Sequence, residues 1–270
     1  MSYYNTKIIC TSSYVEIYEY SKPISKRTKN DNSIILINDT NEITNKTNDK
    51  FKSSEEDSIR RMALTRKRSK AELVRLIDTN YDNRTSFLTL TVKENIINRN
   101  TFSAMFDKFI TRMNYNFLNT KQRKLKYIAV LEKQKRGAYH VHMLIFDIGF
   151  LKHSELMKVW RHGGVRINKL NSLDDSSNAG RYVSKYMEKS IGQELLESKG
   201  KKSYYCSHNL NKPVVSTMLL NHDDITALTN SENVSYSSEY KSKVYKNGEF
   251  IENLVKYKKI KLIMKEEQWI

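Results

Sequence analysis

The chain has 270 residues, with 47 Lys and Arg against 30 Asp and Glu, and a formal net charge of +17. That length can bury one sizeable core plus extensions without disulfide or metal staples, and the charge favours a polyanion, nucleic acid before acidic protein or membrane, as partner. Cys10 and Cys206 lie far apart without metal-ligand spacing, so a reducing compartment, the cytoplasm, is expected, and no apolar run reaches membrane-spanning length.

In chain order, Tyr14-Val-Glu-Ile-Tyr18 predicts one strand. From about Lys22 to Ser58, a mixture of Ser, Asn, Thr, Asp and Lys without periodicity predicts a linker or disordered arm. A basic amphipathic helix over residues 59–79 follows, in which Met62, Leu73, Leu76 and Ile77 alternate with Arg60, Arg61, Arg66, Lys67, Arg68 and Lys70. Its basic face either solvates the helix or contacts DNA. Residues 87–92 read as a strand buried on both faces. Thr101 reads as the cap of a helix carrying Phe102, Phe106, Phe109, Met113 and Phe117 into the core.

Residues 126–132 and 138–146 form two strands joined by Lys133-Gln-Lys-Arg-Gly137, an antiparallel hairpin. A helix over His153–Trp160, a strand from Gly163, a helix capped by Asn178 and a strand over Tyr204–Leu210 complete the core before Pro213. A hairpin about Asn247-Gly248 and a Lys-rich strand from Tyr257 end the chain. The expected fold class is α+β, a central antiparallel sheet flanked by helices. The expected domains are 1–57 (strand and polar arm), 58–215 (core) and 216–270 (basic extension with a hairpin).

On a strand, His140 and His142 point to one face with Leu144 and Phe146, while Val141, Met143 and Ile145 face the other side. If the hairpin turns about Arg136, Glu132 lies opposite His140 and Val130 opposite His142, which brings a carboxylate beside both imidazoles. A mixed nitrogen and oxygen set with open positions suits Mn²⁺ or Mg²⁺ better than structural Zn²⁺. The bland alternative is two half-exposed polar histidines.

On a helix, Tyr182, Lys185, Tyr186 and Lys189 share a sector of roughly 100° and can face one phosphate. A phenol of ordinary pKa about 10 is a poor nucleophile, so a neighbouring ammonium, here Lys185, is chemically useful. Tyr186 is either a second nucleophile or a packing residue beside Val183 and Met187.

Three segments, Phe87-Leu-Thr-Leu-Thr91, Gly137-Ala-Tyr-His-Val-His-Met-Leu-Ile-Phe146 and Tyr182-Val-Ser-Lys-Tyr-Met-Glu-Lys189, resemble the three motifs of rolling-circle replication initiators, within the HUH endonucleases. Glu132 matches the spacing of that family's third metal ligand, and the Trp160 to Ile167 stretch is similar to plasmid initiators. The resemblance covers roughly residues 58–215. It implies an RRM-like antiparallel sheet and a divalent metal on Glu132, His140 and His142. It also implies attack by Tyr182 on the scissile phosphate, with Lys185 as the lysine of motif three, to give a 5′-phosphotyrosine and a 3′-OH primer. The implied partners are a single-stranded nick site, a duplex origin, and a host helicase and DNA polymerase. The helicase must come from the host because no Gly-x-x-x-x-Gly-Lys-[Ser/Thr] motif occurs. The basic helix and the two extensions are assigned to origin binding or oligomer contacts.

Two rival readings stand beside this one. A relaxase or tyrosine transposase shares the chemistry, although relaxases place the tyrosine before the histidine motif. A copy-number repressor would keep the fold and charge without cutting.

Overall fold

The structure, a computed structural model, describes residues 2–26, 55–168, 204–246 and 249–262. Chain contacts divide into two units, Thr65–Lys212 and Met1–Leu64 with Pro213–Ile270. Each is built on a five-stranded antiparallel sheet, so the α+β class holds and a second sheet accompanies the expected one.

The first unit contains most of helix α1 (Glu55–Asn80), then β3 (Ser86–Thr91), α2 (Arg99–Leu118), β4 (Lys126–Lys133), β5 (Tyr139–Phe146), α3 (His153–Trp160), β6 (Val165–Asn168) and β7 (Tyr205–Cys206). The strand order is β6-β3-β5-β4-β7, which puts the histidine strand at the centre. Residue alternation divides the core cleanly. Leu88, Leu90, Leu131, Val141, Met143 and Ile145 pack with Phe102, Phe106, Phe109 and Met113 of α2 and with Leu156 and Trp160 of α3. Phe87, Ile128, Val130, Leu144 and Phe146 face the other way, onto Leu73 and Ile77 of α1. Each such apolar side chain taken from water contributes about 1.5–3 kcal/mol, so both strand periodicities are strongly specified.

Helix α2 starts earlier than expected. Asn98, not Thr101, is its cap: its extended backbone lets the side-chain oxygen accept the Thr101 N–H at 3.1 Å. At its far end the buried Asn114 holds the turn into β4, accepting from the Lys124 and Leu125 N–H groups at 2.8 Å each and donating to the Ile110 carbonyl. The strand expected over Tyr204–Leu210 shrinks to Tyr205–Cys206, the only two residues with partners on β4. Ser207 instead uses its hydroxyl to accept the Tyr127 N–H at 3.0 Å.

The second unit joins the two ends of the chain. Strands β1 (Tyr3–Cys10), β2 (Tyr14–Ser25), β8 (Val214–Met218), β9 (Val234–Lys246) and β10 (Glu249–Lys261) align in the order β8-β1-β2-β10-β9, with helix α4 (His222–Thr229). The single N-terminal strand expected around Tyr14–Tyr18 is a pair, turned at Thr11, whose hydroxyl accepts the Tyr14 N–H at 3.1 Å. Strand β2 runs on to Ser25, past the start of the expected linker, because β1 supplies partners for Ile24 and Ser25. The rest of that expected arm up to residue 54 lies outside the described residues. The C-terminal hairpin is present with two 13-residue strands, and β10 pairs with β2, so segments expected as separate extensions share one sheet.

Candidate metal centre

The site is made by a hairpin. Lys133 to Ala138 turn with Gln134 N–H donating to the Ala138 carbonyl and Gly137 N–H donating to the Gln134 carbonyl, both at 2.8 Å. Gly137 sits at φ +87°, a left-handed conformation that glycine adopts without strain. That turn fixes the register: Glu132 opposes His140 and Val130 opposes His142, as the sequence predicts. A slip of one residue would send both imidazoles to the α2 side of the sheet.

Three donor atoms meet at the resulting point. His142 Nε2 lies 3.0 Å from Glu132 Oε2, His140 Nε2 lies 3.1 Å from the same oxygen, and the two Nε2 atoms are 3.0 Å apart. The three side chains are only 11–16% exposed, so water competes poorly for these atoms. Burial, and then the neighbouring His142, push the His140 pKa below 6.5 against the opposing pull of Glu132. His140 is therefore held in the neutral form that a metal requires. Glu132, His140 and His142 form a group able to hold a metal ion.

Strand β3 supports the centre. Thr89 and Thr91 pair with His142 and His140. The Thr89 hydroxyl lies 3.2 Å from His142 Nδ1, and the Phe87 ring stacks on the same imidazole with centroids 6.1 Å apart. With Nδ1–H donating to Thr89, the lone pair of Nε2 faces Glu132 and His140. The sequence reading took this segment only as sheet core. The signal was the alternation itself, which places Thr89 and Thr91 on the histidine face.

The far end of β3 is clamped. Trp160 Nε1 donates to the Thr91 carbonyl at 2.7 Å, and Arg136, at the tip of the hairpin, donates to the carbonyls of Val92 and Lys93. The His162-Gly163-Gly164 backbone lies against the same stretch: Thr91 N–H donates to Gly164 at 2.9 Å and Lys93 N–H to His162 at 2.8 Å. A side chain at Gly163 would bring its Cβ 2.4 Å from the Thr91 oxygen, so only glycine permits this approach.

The remaining expected residues fare differently. Tyr182, Lys185, Tyr186 and Lys189 lie outside the described residues. Arg60, Arg61 and Arg66 fall on α1, with side chains outside the described set, whereas Lys67 and Arg68 on the same helix are exposed. Among the described residues no helix is long and apolar enough to cross a membrane.

No curated protein and no solved structure matches the chain. Residues 85–191, which run from the start of β3 through the hairpin, β6 and the tyrosine motif, match the model of the family Replication-associated protein ORF2, and over this stretch the chain is similar to a replication-associated protein.

Proposed function

We propose that the protein is a rolling-circle replication initiator of the HUH endonuclease type, which nicks one DNA strand at an origin and rejoins strands at termination. The observation that carries this reading is the donor triangle of Glu132, His140 and His142, with edges of 3.0, 3.0 and 3.1 Å. Cis ligands on an octahedral ion with bonds of about 2.1 Å are separated by about 3.0 Å. A tetrahedral ion with bonds near 2.05 Å needs roughly 3.3 Å. The triangle therefore fits Mn²⁺ or Mg²⁺, and leaves three octahedral positions for water and phosphate. A divalent ion bound there supplies Lewis-acid polarisation of a phosphodiester.

In this reading Tyr182 attacks the phosphorus. A bond forms from the phenolic oxygen to phosphorus, the bond to the 3′ oxygen breaks, the phenolic proton passes to solvent, and the departing oxygen takes up a proton as a 3′-OH. Lys185, one helical turn on from Tyr182, favours the phenolate and neutralises phosphoryl charge. Because one phosphodiester replaces another, rejoining needs no ATP. Tyr186 acts as the second nucleophile, Lys189 and the basic face of α1 contact DNA, and a host helicase and polymerase unwind and extend.

The test mixes the full chain and Mn²⁺ with single-stranded oligonucleotides tiling the DNA around its own gene, and looks for a covalent adduct on a denaturing gel. A metal-dependent adduct that survives Tyr186→Phe but not Tyr182→Phe is expected. Tight duplex binding with no adduct on any tile would leave a non-catalytic DNA-binding protein as the better description.

A further inference from the structure

We infer that Arg166 is a phosphate-binding residue of the metal face, holding the backbone of the strand presented to Glu132, His140 and His142. The inference rests on the proposed nicking function and adds to it a residue that none of the three motifs contains.

Register places it. In the antiparallel pairing of β6 with β3, Arg166 opposes Thr89, and Thr89 in turn opposes His142 on β5. Opposed residues share a face, and Thr89 demonstrably points to the metal side because its hydroxyl reaches His142 Nδ1 at 3.2 Å. The flanking Val165 and Ile167 pack into the core on the α2 side, as alternation requires if Arg166 projects the other way. Arg166, Thr89 and His142 thus form one row across three strands. Two interstrand steps separate the Arg166 and His142 backbones by roughly 10 Å, a gap that an arginine side chain and one phosphate can span together.

Chemistry and surroundings agree. Arg166 is exposed, and no carboxylate pairs with it among the described residues. Of the cations that the described strands place on this face, Lys126 sits at the far end of the hairpin opposite Phe146, so Arg166 alone shares a row with the triad. Strand β6 is the edge of its sheet, so the guanidinium lies at the rim of the face. A planar fork of N–H donors suits two oxygens of a phosphodiester, which a metal-bound phosphate leaves open on its outer side.

The experiment uses thymidylyl-thymidine, which carries a single phosphodiester, and the paramagnetic broadening by Mn²⁺ of its ³¹P resonance in the presence of the full chain. Mn²⁺ affinity is measured separately by electron paramagnetic resonance. In Arg166→Ala we expect unchanged Mn²⁺ affinity and about tenfold weaker dinucleotide binding, with partial recovery in Arg166→Lys. Lys126→Ala should bind the dinucleotide as the unaltered chain does. Equal dinucleotide binding by Arg166→Ala, or a loss matched by lost Mn²⁺ affinity, overturns the inference while leaving the nicking function in place. No broadening with the unaltered chain removes the metal reading itself, and this inference with it.

Discussion

Replacing Gly163 by Ala tests the clamp that fixes the end of β3 beside the metal centre. The added Cβ would lie 2.4 Å from the Thr91 oxygen, 2.7 Å from the Lys93 nitrogen and 2.9 Å from the Val92 carbonyl carbon. All three are backbone atoms of a segment that Trp160 and Arg136 already pin, so none can swing aside as a side chain would. Overpacking of this kind costs about 1–3 kcal/mol, and more where backbone must shift. At roughly 2–4 °C per kcal/mol, the melting temperature should fall by several degrees. Gly164→Ala is the internal control. Its Cβ would meet the Thr91 hydroxyl at 3.0 Å, the end of a side chain that can yield. That variant should stay within about 0.5 kcal/mol of the parent. Chemical denaturation of the three proteins, compared at equal m-value, supplies the measurement. Equal stability of Gly163→Ala and the parent, or a larger loss in Gly164→Ala, would refute the close-approach reasoning.

Two further outcomes are expected. Thr89→Val keeps the β-branched shape but removes the hydroxyl 3.2 Å from His142 Nδ1, so Mn²⁺ affinity should drop roughly 10–100-fold while Thr89→Ser retains it; titration of Mn²⁺ decides, and equal affinities in all three proteins would show that Thr89 only packs. At His162, burial first and the Arg112 guanidinium second push the pKa below 6.5, so the folded chain disfavours a proton that the unfolded chain accepts. Stability contributed there is present above pH 6.5 and is lost as pH falls from that value through the lower pKa of the folded chain. Thermal melts of His162→Asn between neutral and mildly acidic pH should show a shallower loss than the parent, and a steeper one would contradict the assignment.

The sequence by itself determined the hairpin of β4 and β5 and its consequences. Alternation over Tyr139–Phe146 separates His140, His142, Leu144 and Phe146 from Val141, Met143 and Ile145, and the turn about Arg136 sets Glu132 opposite His140. Both are local properties, fixed by the two-residue strand period and by turn length. The helical spacing of Phe102, Phe106, Phe109 and Met113 was legible for the same reason. Its cap was not, because Asn98 and Thr101 are both good capping residues and only backbone geometry distinguishes them.

Tertiary structure decided what depends on partners distant in sequence. Strands β8 and β9 and helix α4 carry weak periodic signals, and Val214, Val215 and Tyr236 are more than half exposed, so hydropathy does not mark them. Their order comes from pairing β1 with β8 and β2 with β10, across more than 200 residues of chain. The same holds at the metal centre. Thr89 steadies His142 and Arg166 joins their row only because β3 lies between β5 and β6. Sheet order of this kind is selected by the burial of whole faces and by backbone hydrogen bonding between strands, which no local pattern encodes.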